Sequence, residues 1–378
     1  MIDVDLVWFN AGGGHRAAAQ ALEEVIVSQG LPWRVRKLNL TEVLDPADRF
    51  RRITGMAPED LYNRRLASGF TLGLAQELRL LQGLIRLGHP TLVQRLSRHW
   101  AVTRPGLVVS LIPNFNRAMH DALAQARPGV PFVTVLTDMA DHPPAFWVEP
   151  GTAQHVVCGT GHAVQQALAA GCDAGRVHRT SGMILRPEFH ISPPMDVAAE
   201  RRRIGLDEST PTGLVLFGGT GSRVMKRIAA ALPQTPLILM CGRNEALAAE
   251  LRAMPCAAPR IVVGYTPEVA RWMRCADFFI GKPGPGSLSE AVQMGLPVIV
   301  TRNSWTMPQE RWNTDWVRSN GLGVVRRSFR DVAGAVRELL DDLPRYRARV
   351  QAVRNRAVFE VPQILQDIVR ARQTASRG

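Results

Sequence analysis

The sequence predicts a parallel α/β protein of two Rossmann-like domains in tandem. Three observations carry this. Apolar strand-like runs alternate with helical segments from end to end, the pattern of parallel sheets covered by helices. Each half opens the same way, with an apolar strand, a glycine-rich turn and a helix. The chain has 378 residues, enough for two domains each with its own core.

In the first half the candidate strands are "DLVWFN", "WRVRKLNL", "GLVVSLI", "FVTVLTD", "HVVCGT" and "VHRTSGM". In the second they are "GLVLFGG", "PLILMCG", "RIVVGYT", "ADFFIGK", "PVIVTRN" and the shorter "GVVRRS". Helical segments such as "SRVMKRIAAAL" and "NEALAAELRAM" separate them. The join falls near "LRPEFHISPPMD", where prolines and polar residues interrupt both periodicities. This predicts a first domain over 1–188 and a second over 189–356, with a last helix over 357–378.

Composition narrows the class. The N-terminus carries acids where a signal peptide carries lysine or arginine, and no apolar run is long enough to predict a membrane-spanning helix. Five scattered cysteines without a C-x-x-C pair fit reduced thiols better than disulfides or a zinc site. The formal net charge of +13 calls for an anionic partner. Nucleic acid is not favoured, because no RNA-recognition, zinc-finger or Lys-rich signature is present. The excess is concentrated instead: ten arginines stand against three acids between Arg49 and Arg104. The same stretch holds Leu74, Leu78, Leu81 and Ile85 at helical spacing, with Arg79 and Arg86 beside them. A basic amphipathic helix of this kind suits an anionic membrane surface, or else simply packs with its arginines in water.

Glycine-rich turns locate the chemistry. The first, "NAGGGHRAAA", meets the G-x-G-x-x-G/A spacing at Gly12, Gly14 and Ala17 but places His15 inside it. A dinucleotide site needs an acid at the end of the next strand, yet that strand ends in Asn39 and Leu40, with Glu42 late. The loop reads better as one that presents an imidazole. The second turn, "FGGTGSRVMKRI", offers Gly219, Thr220, Gly221 and Ser222 between strand and helix, where free N–H groups attract phosphate. Ser222 also fits the helix N-cap. The third, "GKPGPGSLSEAVQMGLP", stiffens the approach to a helix predicted to start near Ser287, with Glu290 placed to accept from a ribose diol or to meet the helix dipole.

Taken in order, these pieces resemble a known family, the GT-B glycosyltransferases of the MurG and monogalactosyldiacylglycerol synthase type, including processive diacylglycerol glycosyltransferases. "GGGHRAAAQAL" resembles the N-terminal glycine loop of the diacylglycerol branch, and "TDMADHPPAFW" its Thr-Asp segment followed by a histidine and an aromatic. "GKPGPGSLSEAVQMGLPVIV" is similar to the donor-site signature and "PQERWN" to the segment that follows. "SLIPNFNRAMHDAL" departs from the pattern, with Pro113 and Asn114 where the branch has His-Pro, which leaves the acceptor open.

The resemblance implies an inverting, metal-independent hexosyltransferase that needs no cofactor and uses a UDP-sugar as co-substrate. It implies two domains facing across a cleft and a last helix that crosses back to the first. By carry-over, Gly219 to Ser222 and the turn Gly284, Pro285, Gly286, Ser287 contact the diphosphate. Glu290 holds the ribose, Gln309 and Glu310 face the sugar, and the backbone at Gly264 and Tyr265 reads the base. His15, with a pKa near neutrality, suits the general base, and Asp138 is its rival or a residue that caps the following turn. Gly13, Gly14, His142 and Trp147 belong to the acceptor side. The partners implied are a lipid acceptor, diacylglycerol or a glycolipid, and an anionic membrane, with a cytoplasmic location at the inner face of the cell membrane. A UDP-sugar epimerase of the same fold is the rival reaction, and a binding protein without turnover the rival class.

Overall fold

The computed structural model describes residues 1–9, 13–45, 74–191, 193–304 and 306–375. Asn10, Ala11 and Gly12 of the first glycine turn, and the part of the basic stretch up to residue 73, lie outside these residues.

Among the described residues two compact units are present, one of 1–45, 74–187 and 355–375 and one of 188–354. The first holds a parallel sheet of β1 (Ile2–Trp8), β2 (Trp33–Asn39), β3 (Leu107–Ser110), β4 (Phe132–Val135), β5 (His155–Cys158) and β6 (Val177–Arg179), in the order β2-β1-β3-β4-β5-β6. The second holds β7 (Gly213–Leu216), β8 (Leu237–Met240), β9 (Arg260–Val263), β10 (Phe278–Gly281), β11 (Val298–Thr301) and β12 (Gly323–Arg326), in the order β12-β11-β10-β7-β8-β9. Every pairing is parallel. Each order reverses once, between β1 and β3 in the first sheet and between β7 and β10 in the second. Ligands of open α/β sheets bind at such reversals, outside the carboxyl ends of the strands.

Most of the predicted strands are shorter in the structure, because the residues after their apolar runs turn into the loops at the carboxyl edge. Thr137 and Asp138, read as strand, lie beyond the end of β4. The first strand instead starts earlier than predicted, at Ile2. The acids of "IDVD" and the arginines of "WRVR" explain why. Asp3 pairs with Arg34 and Asp5 with Arg36 in register across β1 and β2, at 2.7 and 2.6 Å. Asp5 is buried and also accepts from Trp100 Nε1 at 3.1 Å, so a slipped register would strand a buried carboxylate.

The last helix, Ala357–Ala375, belongs to the first unit. Its Val361, Leu365, Ile368 and Val369 pack with Val4, Leu6, Leu107, Val109 and Val133 of the first sheet. Polar clasps fix the return: Asn355 Nδ2 donates to Met183 O at 3.0 Å, and Glu360 accepts from the Ser181 N–H at 2.7 Å and hydroxyl at 2.8 Å. Gly182 is obligatory here, because a Cβ would lie 2.6 Å from the Asn355 side chain.

Candidate active site

In the first unit, the loop after β1 delivers His15 to the β1/β3 reversal. Gly13 adopts a left-handed φ of 81° and forms the N-cap of the helix Gly14–Ser28, with no side chain capping it. A Cβ at Gly13 or Gly14 would meet nothing within 4 Å, so open space borders the loop. His15 Nδ1 lies 2.7 Å from Leu111 O, just past β3, and 3.1 Å from Thr137 Oγ1, just past β4. A carbonyl only accepts, so Nδ1 carries the hydrogen and Nε2 keeps its lone pair. Three strand ends thus fix one tautomer. Burial pushes the His15 pKa down to about 4, against the bond to Leu111, which raises it. The near-neutral value expected from the sequence is therefore corrected: desolvation favours the neutral imidazole.

Asp138 is half-buried and accepts from Trp147 Nε1 at 3.0 Å, while the His15 and Trp147 rings lie 6.3 Å apart. The two candidate bases and the tryptophan form one cluster. Trp147 itself is 0% exposed, packed with Leu136, Phe146 and Val156, so its expected contact with an acceptor is corrected. It anchors Asp138 instead. Its own carbonyl is held by Asn116 Nδ2 at 3.1 Å and Gln154 Nε2 at 3.0 Å. His142 lies on the same loop, between residues with left-handed φ at Asp141 (55°) and Ala145 (53°). Its ring nitrogens are buried without a hydrogen-bond partner among the described residues, and burial pushes its pKa down to about 4. Glu149, two residues after Trp147, is pushed up to about 7 by burial, against the pull of Arg117 and Arg86. All three groups favour their neutral forms.

In the second unit, the loop after β7 is a backbone construction. Gly218 and Gly221 take left-handed φ values of 77° and 60°. Gly219 O accepts from Arg243 N at 2.9 Å and Thr220 O from Asn244 Nδ2 at 3.2 Å. Gly242 must lack a Cβ, which would sit 2.1 Å from Gly219 O. The N-cap of the helix Val224–Ala231 is Arg223 and not Ser222 as expected, though Ser222 Oγ still accepts from Val224 N at 3.3 Å. Gly264 and Tyr265 follow β9, and the exposed Tyr265 ring stacks under the Arg243 guanidinium at 4.7 Å. Sequence reading missed Arg243, since an arginine between two glycine turns carries no signal of its own.

The loop after β10 reaches the same β7/β10 reversal. Its helix runs Pro285–Gln293, two residues earlier than the predicted start at Ser287, because Pro285 presets the first helical φ. Gly284 is the N-cap with no side-chain hydrogen bond, leaving first-turn N–H groups to an incoming anion. Glu290 is half-buried in the second turn. Gln309 and Glu310 begin the helix Pro308–Ser319. Gln309 is half-buried, with Nε2 3.9 Å from Met307 Sδ, too long for a firm bond. Glu310 is buried and accepts from Lys282 Nζ at 3.2 Å, so it serves the loop, and Lys282 is a second residue that sequence reading missed.

No protein-family model matches the chain. A rice protein (Oryza sativa subsp. indica) named probable monogalactosyldiacylglycerol synthase 2, chloroplastic, is 28% identical over 266 residues, 66% of this chain and 55% of that one. A probable monogalactosyldiacylglycerol synthase, chloroplastic, of Glycine max is 27% identical over 401 aligned positions, 96% of this chain and 71% of that one. The chain thus spans about half the length of the rice relative and more of the soybean one. Among solved structures, MurG of Acinetobacter baumannii superposes with a TM-score of 0.59 at 13% identity, covering 97% of this chain and all of that one. A UDP-GlcNAc 2-epimerase from Neisseria meningitidis superposes with a TM-score of 0.57 at 13% identity, over 97% and 99% of the two chains.

The fold is GT-B. In sequence the chain is similar to monogalactosyldiacylglycerol synthases, and in fold to MurG. The expected location at the inner face of the cell membrane is overturned, because the synthases it resembles are chloroplast proteins by name. Among the described residues no helix is long and apolar enough to cross a membrane.

Proposed function

We propose that the chain is an inverting glycosyltransferase that moves a hexose from a UDP-sugar to the hydroxyl of a lipid acceptor, diacylglycerol or a glycolipid. The observation that carries this reading is the tautomer of His15. Its Nδ1–H is committed to Leu111 O, and the Nε2 lone pair is left to take a hydroxyl proton beside the space that Gly13 and Gly14 leave open. In this reading Asp138, anchored by Trp147, shapes the field around that base. The donor is held in the second unit, its diphosphate by the turns at Gly219–Ser222 and Gly284–Ser287, its ribose by Glu290, its base at Gly264 and Tyr265, and its sugar by Gln309.

A lipid acceptor is supported by the helix Leu74–Leu87. The periodicity put Leu81 on a core-facing stripe, yet Leu81 is exposed, as are Leu80, Leu84 and Leu87, the last at 82%. Exposed Arg79 and Arg86 flank them. Four exposed leucines between arginines form the apolar and cationic face of an interfacial helix, suited to an anionic bilayer. Gln82 of the same helix donates to Asn114 Oδ1 at 3.2 Å and to the carbonyls of Pro144 and Ala145 at 3.2 and 3.3 Å, which ties this face to the His142 loop.

Mass spectrometry of products from UDP-glucose or UDP-galactose with vesicles containing diacylglycerol tests the reading. A glycosylated lipid is expected. Isomerised UDP-N-acetylglucosamine formed without any acceptor would assign the chain to the epimerases instead. Flotation with anionic liposomes at low salt tests the helix, and protein left at the bottom would make the leucines and arginines a solvated face only.

A further inference from the structure

Two ion pairs of the second unit are built differently, Arg201 with Asp277 and Lys282 with Glu310. Arg201 uses four of its five N–H donors: its guanidinium donates to Asp277 Oδ2 and Asp207 O at 2.9 Å, Thr210 O at 2.6 Å and Thr212 Oγ1 at 3.1 Å. That pair is a fastening. Lys282 has one hydrogen-bond partner among the described residues, Glu310 Oε1 at 3.2 Å, and its side chain is 40% exposed while that of Glu310 is 6% exposed. An ammonium has three N–H donors, so two are left to solvent or a ligand. A buried carboxylate with a single lysine partner adds little to stability, which points to a positional use.

The position is specific. A Cβ on Gly284 would lie 3.1 Å from Lys282 Cε, 3.5 Å from its Nζ and 3.4 Å from Glu310 Oε1. The ammonium therefore stands against the uncapped first turn of the helix Pro285–Gln293, at the β7/β10 reversal. Asn313, one turn beyond Glu310, is fully buried and aimed into the same loop. Its Nδ2 donates to Pro283 O at 2.7 Å, while its Oδ1 has no hydrogen-bond partner among the described residues. Two buried polar side chains of one helix thus serve residues 282 and 283 rather than their own helix.

We propose that Lys282 is the cation that takes the terminal phosphate of the departing nucleoside diphosphate, and that Glu310 is the positioning residue that holds it there. This rests on the donor reading above. In the transfer, the acceptor oxygen forms a bond to the anomeric carbon as the bond from that carbon to the β-phosphate oxygen breaks. The electron pair of the broken bond goes to that oxygen, and the acceptor proton goes to His15. Lys282 keeps its three protons and meets the growing charge with hydrogen bonds, which are strong when both partners are ionised.

Calorimetric titration of the full chain with UMP and UDP, which differ by the β-phosphate, tests this. The wild type is expected to bind UDP more tightly than UMP. Lys282→Met is expected to weaken UDP at least tenfold and leave UMP within twofold, with Lys282→Arg recovering part of the loss. Glu310→Gln is expected to weaken UDP less, and to add nothing in the double variant with Lys282→Met. UDP bound as tightly by Lys282→Met as by the wild type overturns the proposal. Equal loss of UMP and UDP by a folded variant also overturns it, since Lys282 would then only shape the turn. Should Lys282→Met fail to fold, Lys282→Gln decides by the same two titrations. A wild type that binds neither nucleotide removes the donor reading itself, and this proposal with it.

Discussion

The carboxyl edges of the two sheets are built by opposite means. At the first, side chains do the work and charge is suppressed: His15 and His142 are held near pKa 4, and Glu149 near 7. At the second, the backbone comes forward through Gly218, Gly221 and Gly284, and a charged pair, Lys282 with Glu310, stands beside an uncapped helix end. A neutral imidazole with a fixed tautomer leaves one nitrogen lone pair to accept a proton. Glycine turns and an ammonium suit a polyanion. The same strand topology therefore carries two kinds of site, and the loops after the reversal decide which.

The largest effect is expected from His15→Ala. It should lower kcat by roughly 10²–10⁴-fold, the usual range for a positioned base, and leave UDP affinity unchanged. Near-normal turnover would pass the role to Asp138 and break the contrast on the first side. Glu290→Ala should weaken UDP-sugar binding by about 1.5–3 kcal/mol, the loss of a charged hydrogen bond, with calorimetry as the check.

These predictions draw on residues that the sequence made visible to different degrees. Twelve strands were legible among the described residues, the central ones because a parallel strand buried on both faces reads as a continuous apolar run. So were the glycine turns, since left-handed φ values select glycine. The contact of His15 with Leu111 O was not, because a backbone carbonyl 96 residues away has no residue type to betray it. Trp147 carried the motif but not its direction, and only packing shows that its ring is sealed and its N–H turned to Asp138. Lys282 stood in plain view inside a recognised motif and was passed over, because its meaning lies in Glu310, which had been read as facing the sugar.

A smaller effect concerns pH. With the His15 pKa near 4, the acid limb of kcat/KM is expected well below the ordinary histidine range, and activity should hold as pH falls from 8 to about 5.5. A limb near 6.5 would show that the site is wetter than its geometry implies. The smallest effect is on stability. Burial raises the Glu149 pKa from 4.5 to about 7, so the folded state binds this proton more tightly than the unfolded one. Its neutral form favours folding below about 4.5, and that contribution is lost as pH rises to about 7. Glu149→Gln should raise Tm at pH 8 by a few degrees, ~2–4 °C per kcal/mol recovered, and should change it little at pH 4. An unchanged Tm at pH 8 would mean that Arg117 and Arg86 already compensate the charge.

The return of the helix Ala357–Ala375 to the first sheet has a consequence for biosynthesis. Val361, Leu365, Ile368 and Val369 seal a core begun by Val4 and Leu6, and the whole second unit is translated between them. Residues 188–354 of the second unit are continuous in sequence and can fold as soon as they leave the ribosome. The first unit must wait with one face of its sheet covered only in part, by the helix Gly14–Ser28, until its closing helix arrives. The unit that begins first is thus completed last, and during that interval the growing chain has the most need of a chaperone.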